Sequence, residues 1–267
     1  MTKKTLSYPK NICRLLEIHT YKRPHNTPTV TEFVDKLLLK PYQHLDPYTL
    51  HETLPDGTQR QPLCVVIATD PASKTMFSAH VDTVHHSHGK QVLAYDHDMG
   101  LLHKAQDPLV KDNECLGADD GAGIWLMLEM IDANVPGVYY FFYGEERGGI
   151  GSSILAKQQP LLLKTFERAV AFDRKGTQDV ITHQGWERCC SDKFAVALAE
   201  SLNMQGQHLS MRPDDGGIFT DTANFIDDIP ECTNISIGYE GAHTSGESLD
   251  VEYLVRLRAA VISCDWD

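Results

Sequence analysis

Residues 138–143 form an unbroken apolar and aromatic run inside Gly137 to Gly144 (GVYYFFYG), which leads directly into Glu145-Glu146. The run lacks the polar alternation of a half-exposed strand and is far shorter than the roughly 20 residues that span a bilayer. It predicts a strand buried on both faces, and such a strand needs a sheet covered by helices on two sides. Shorter runs of the same kind at 63–68, 76–80, 168–172, 180–183 and 233–239 predict its neighbours. Between them, helical spacing recurs at 121–131 (Ile124, Leu128, Ile131), from about Ser152, at 193–203 (Phe194, Leu198, Leu202) and at 250–263 (Val251, Leu254, Leu257, Val261). The alternation predicts an α/β fold with a mainly parallel twisted sheet flanked by helices. Without a linker or internal repeat, residues 1–267 read as a single catalytic-sized domain, with an N-terminal helical segment at 11–39 packed on it.

Charge narrows the partners. Lys+Arg of 24 against Asp+Glu of 37 leaves a formal charge of -13, which opposes phosphate backbones and anionic lipid. Nucleic acid and membrane are therefore not expected. The opening MTKKTLSYPK lacks the apolar stretch of about 7 to 15 residues found in a secretory signal, so a cytoplasmic location is expected. The seven cysteines are odd in number and show no CxxC spacing, which reads as reduced thiols; adjacent Cys189 and Cys190 read as small buried side chains.

Parallel sheets collect chemistry at the carboxyl ends of their strands. His80 ends 76–80, Glu145 and Glu146 follow the aromatic run, Asp173 ends RAVAF, His243 follows 233–239, and Asp119-Asp120 stand before a helix. That many acidic and imidazole groups at one sheet edge would cost several kcal/mol unless protons or cations compensated them. A metal site is the simplest answer. His80-Val81-Asp82 has the spacing of a ligating His steadied by a carboxylate. Adjacent glutamates at a strand end can separate a base from a ligand. His85, His86 and His88 read instead as a solvent-exposed loop. Residues 144–152 hold no GxxxxGK[ST], so an NTPase is unsupported.

In this order, His-x-Asp, GADD before a helix, Glu-Glu, Asp and His, the chain resembles the co-catalytic zinc exopeptidases over roughly 80–254. These include the leucyl aminopeptidase-like enzymes, peptidase T, the glutamate carboxypeptidases and related deacylases. The resemblance implies two zinc ions, with cobalt or manganese as alternatives, held by His80, Asp119, Glu146, Asp173 and His243. It makes Asp82 the residue that orients His80 and Glu145 the base. Matching GADD favours Asp119 over Asp120 as the shared ligand, with Asp120 the alternative, and implies a cis peptide between them. Thr220-Asp221 in GGIFTDTANF resembles a segment near the substrate pocket, making Asp221 a substrate-binding candidate and Arg174 a candidate wall. A lid of about a hundred residues does not fit between Asp173 and His243. A lid-free metallopeptidase is implied, an aminopeptidase on short peptides. The alternatives are an N-acyl amino acid deacylase, a carboxypeptidase, a single-zinc cyclase-like transferase, or a non-catalytic binding protein.

Overall fold

The sheet that the aromatic run demands has eight strands in the computed structural model, which describes residues 10–106 and 113–266. The residues whose composition argued against a secretory signal, 1–9, lie outside the described ones. The strands are β1 (Tyr48–Thr53), β2 (Gln59–Ala68), β3 (Thr75–His80), β4 (Val138–Phe142), β5 (Arg168–Arg174), β6 (Asp179–Ile181), β7 (Arg212–Asp214) and β8 (Glu231–Ser236). In space they run β7-β6-β8-β5-β3-β4-β2-β1. β3 lies parallel to both β4 and β5, and β5 lies parallel to β8. The outer strands β1 and β2 are antiparallel additions. With His80 opposite Phe142, the carboxyl ends of β3 and β4 meet in register at one edge.

Alternate residues of β4 feed two separate cores. Tyr139 and Phe141 join Val65, Ile67, Phe77 and Val170 beneath α1 (Lys10–His19), α2 (Ala118–Asp132) and α5 (Val251–Ser263). Tyr140 and Phe142 join Val66, Met76 and Ala169 against Leu155 of α3 (Ile150–Gln158) and Phe225. Both faces of β4 are thus dry, which is why the run tolerates no polar residue. Within residues 11–39 the helical stretches are α1 and Pro28–Phe33, which passes into a wider π turn at Val34–Leu39, and a short strand at Tyr21–Lys22 separates them. α4 (Asp192–Asn203) starts on a Ser191 side chain that accepts from the Phe194 N–H, and it buries Ala195, Leu198 and Leu202. α2 departs from the one-faced helix expected at 121–131: residues Gly121 to Ile131 are all buried, because α1, α5 and the sheet enclose it.

The described residues between 83 and 117 contain more order than their polar, turn-rich sequence suggests. Leu93–Asp96 and Leu101–Lys104 join Ser248–Asp250 and Tyr239–Glu240 in a four-stranded antiparallel sheet. The loop between Tyr239–Glu240 and Ser248–Asp250 carries His243 and is pinned at both ends by this sheet. All seven cysteines are free, six of them buried. Among the described residues no helix is long and apolar enough to cross a membrane.

Candidate metal centre

His80 closes β3 and is 1% exposed. Its Nδ1 lies 3.0 Å from the backbone carbonyl of Asp82, whereas the Asp82 carboxylate is 3.9 Å away. The hydrogen-bond partner of the ring is thus the backbone oxygen of Asp82, with the carboxylate standing beyond hydrogen-bond distance. A carbonyl only accepts, so Nδ1 carries a proton and Nε2 faces Asp119 Oδ1 at 3.0 Å and Asp173 Oδ1 at 3.6 Å. The Asp82 carboxylate accepts from the N–H groups of Gly144, at 2.8 Å, and Glu145, at 3.3 Å. It therefore sets the turn that presents both glutamates. Gly144 takes φ +76 in that turn, a conformation glycine adopts without steric cost.

Asp119 and Asp120 are joined by a cis peptide, and their side chains part company. Asp120 is fully buried and accepts from the His80 N–H at 3.1 Å and the Gly123 N–H at 3.0 Å. A Cβ at position 123 would collide with this carboxylate and with the Phe172 carbonyl oxygen, so only glycine fits the approach of α2 to β5. Asp119 instead lies between two histidines, with Oδ1 at His80 and Oδ2 3.2 Å from His243 Nε2. Glu247, 1% exposed, holds this segment by accepting from the N–H groups of Leu116 (2.8 Å), Gly117 (2.8 Å) and Asp119 (3.0 Å).

Asp173 sits within β5, and Thr220 donates to its Oδ2 at 2.6 Å, leaving Oδ1 toward His80. Asn234 of β8 locks its backbone by accepting from the Asp173 N–H and donating to its carbonyl. Glu146 Oε1 is 3.1 Å from His243 Nε2. His243 itself takes φ +66, uncommon for a residue with a side chain. Two donor groups result: His80, Asp119 and Asp173, and then Asp119, Glu146 and His243, each with ligand atoms within 4.8 Å of one another. Asp119 is common to both. Glu145 belongs to neither; its Oε2 stands 3.9 Å from His80 Nε2. Asp221 is buried at the start of Asp221–Phe225 and does not line the pocket. His85, expected in an exposed loop, is buried against Thr83 and Gln91, while His86 and His88 are exposed.

Burial, reinforced by Asp173, Asp221 and Asp119 and opposed by His80, raises the Glu145 carboxyl to about 10. Burial and Asp119 raise Asp173 to about 6. Hydrogen bonds from His243 and His80 overcome burial to hold Asp119 below its ordinary value, and bonds to Asp119 and Glu146 lift His243 to about 10. Protein charges alone thus leave the carboxylates competing for protons. Behind them Arg23 is fully buried, its Nε donating to Val81 O at 2.9 Å and its guanidinium 4.6 Å over Phe33. Burial lowers its pKa to about 10, with Asp120, Cys115, Asp82 and Glu247 opposing, so it remains a cation at neutral pH. The nitrogen and oxygen donors, largely buried and rich in carboxylate, fit divalent ions of the zinc type. A pocket of about 310 Å³ opens beside them, walled by Asp119, Glu145, Asp173, Arg174, Tyr239 and His243.

No family model matches the chain, and no curated protein matches its sequence. Its likeness is to solved structures. A tripeptidase from Staphylococcus aureus superposes with TM-score 0.69 at 14% identity, over 94% of this chain and 96% of that one. The aminopeptidase PepT from Bacillus cereus gives 0.66 at 15% identity, with the same coverages of 94% and 96%. The chain has the aminopeptidase fold. A glutaminyl cyclase from Macrostomum lignano matches too, with TM-score 0.61 at 14% identity over 98% and 91% of the two chains. The aminopeptidase fold therefore supports more than one reaction, and the choice among them rests on the side chains.

Proposed function

We propose that this chain is a cytoplasmic di-zinc metallopeptidase, one catalytic domain that removes amino-terminal residues from short peptides. The observation that carries this reading is a pair of donor groups sharing Asp119, with Glu145 left outside both and facing the same pocket. His80 and Asp173 would complete one ion and Glu146 and His243 the other, with cobalt or manganese as substitutes. Zinc bound there would supply Lewis acidity for the scissile carbonyl and for water. The protein's own part is proton handling. Asp82 fixes the backbone of Glu145, and Glu145, ionised where cations held by the two donor groups would offset the burial and neighbouring carboxylates that raise it, takes the proton of the attacking water and returns it to the leaving amine. The pocket is lined by Asp119, Glu145 and Asp173 and also by Arg174 and Lys175, and the preference for a free amino terminus is supported by the likeness to a tripeptidase and an aminopeptidase.

The test compares a peptide bearing a free amino terminus with its N-acetylated twin, after chelation and after zinc is restored. The free peptide should be cleaved faster, and only with metal. Faster cleavage of the acetylated twin would favour a deacylase. Hydrolysis that survives complete chelation would overturn the metal assignment.

A further inference from the structure

Arg23 stands before Pro24, a place that favours extended backbone, and follows the short strand Tyr21–Lys22. Its main chain turns both polar groups to one residue. The N–H donates to Thr83 Oγ1 at 3.1 Å, and the carbonyl accepts from the Thr83 N–H at 2.9 Å. The side chain then reaches along the same segment: Nε donates to the Val81 carbonyl at 2.9 Å, and Nη1 donates to the Ile18 carbonyl, near the end of α1, at 3.1 Å. Arg23 thus grips the residues on either side of Asp82 and ties them to α1. Among the described residues it is the only lysine or arginine that is buried. Burying a guanidinium costs desolvation that an apolar side chain of like volume avoids. An apolar side chain, however, cannot hold two carbonyls at once, and an ammonium lacks the fork to do so.

Asp82 is where this hold converges. Its carbonyl stands 3.0 Å from His80 Nδ1, and its carboxylate accepts from the N–H groups of Gly144 and Glu145. Its Oδ2 and the Arg23 Nη2 are both buried without a hydrogen-bond partner among the described residues, and the two opposite charges attract one another. A shift of residues 81–83 would therefore displace the ring of one donor and the turn carrying both glutamates together. We infer that Arg23 is a positioning residue for the metal centre: by fixing Val81 and Thr83 it sets Asp82, and through Asp82 both the His80 ring and the turn of Glu145 and Glu146. The inference rests on the metallopeptidase reading and extends it to the N-terminal segment, which supplies none of the donors. Arg23 does not line the pocket, so its effect reaches a substrate only through these residues.

The experiment titrates zinc into the full metal-free chain against a chromophoric chelator and then measures kcat and KM on a short peptide at saturating zinc. Arg23→Met removes the cation and the fork, whereas Arg23→Lys keeps a cation without the fork and carries the test where the first variant fails to fold. Each should weaken zinc binding about 10- to 100-fold, the usual cost of losing a partner that orients a ligand, and lower kcat with KM within about twofold of the parent. Leu38→Ala opens a cavity in the same N-terminal layer but removes no polar atom, so it should lose stability in urea while keeping parental zinc affinity and kcat. Parental zinc affinity in either folded Arg23 variant overturns the inference. So does an equal loss of zinc affinity in Leu38→Ala, which would assign the effect to stability alone. A parent chain that binds zinc and cleaves no peptide overturns the peptidase reading, and the zinc titrations still decide the role of Arg23.

Discussion

Glu145 and Glu146 share the short helical turn Glu145–Arg147, yet only Glu146 reaches His243, at 3.1 Å. Glu145 is held by its own backbone to Asp82 and keeps its carboxyl free of the two donor groups. Replacing each in turn should separate their roles. Glu145→Gln is expected to lower kcat about 10²- to 10⁴-fold while retaining zinc, because it removes proton acceptance and preserves shape. Glu146→Gln is expected to raise the zinc concentration needed for half-maximal activity. Metal content and kcat measured on both variants decide it, and parental turnover in Glu145→Gln would remove Glu145 from its role. Single residues were legible where chemistry sits at a strand end, as at His80, Asp173 and the glutamate pair. Asp119 and Asp120 were inseparable in sequence because their difference is one of direction, toward two histidines or toward the His80 and Gly123 amides. Glu247 left no signal at all. Its carboxylate serves backbone N–H groups of residues 116–119, far away along the chain, and any such task is invisible to a motif.

Helix α1 ends at His19, which is completely buried against α2: its Nδ1 is 2.8 Å from Leu15 O, and a Cβ at Gly121 would come within 3.0 Å of its Nε2. Burial lowers its pKa from 6.5 to about 4, with Arg23 and His85 adding to the effect and the bond to Leu15 opposing it. Between those two values the unfolded chain binds the proton and the folded chain does not, so this contact loses stability as pH falls from 6.5 toward 4. From pH 7 to about pH 4.5 the loss from this one group is about 2 kcal/mol. His19→Gln should accordingly lose about 2 kcal/mol less than the parent over that interval, read from urea unfolding. Parallel pH profiles for the two proteins would contradict the burial argument. Elements with a strong period or a dry run, such as β4 and α4, were legible in sequence. β1 was not, because it is an edge strand with no fully buried residue, and its alternation is blurred by partial exposure on both faces.

Across the whole molecule, alternating strands and helices gave away the sheet's class and the edge where the chemistry collects, but not the order in which the strands lie. β8, the last strand of the main sheet to be synthesised, is inserted between β5 and β6 and not added at a margin. Late arrival in the middle of a sheet has a consequence for a chain emerging from the ribosome. Until residues 231–236 appear, β5 exposes one row of unpaired amides and carbonyls, and β6 with β7 has nothing to join. A chain stopped after Pro230 should therefore sediment with aggregates when translated in vitro, while the full chain stays in the supernatant. A soluble, protease-resistant product of that length would show that the first seven strands close without it. The same timing governs the donor groups. His243 and Glu247 follow β8, so a half-made chain holds His80, Asp119, Glu146 and Asp173 without the partners that draw them together. The two donor groups come together only after the sheet has been sealed, so the nascent chain carries their residues without the site.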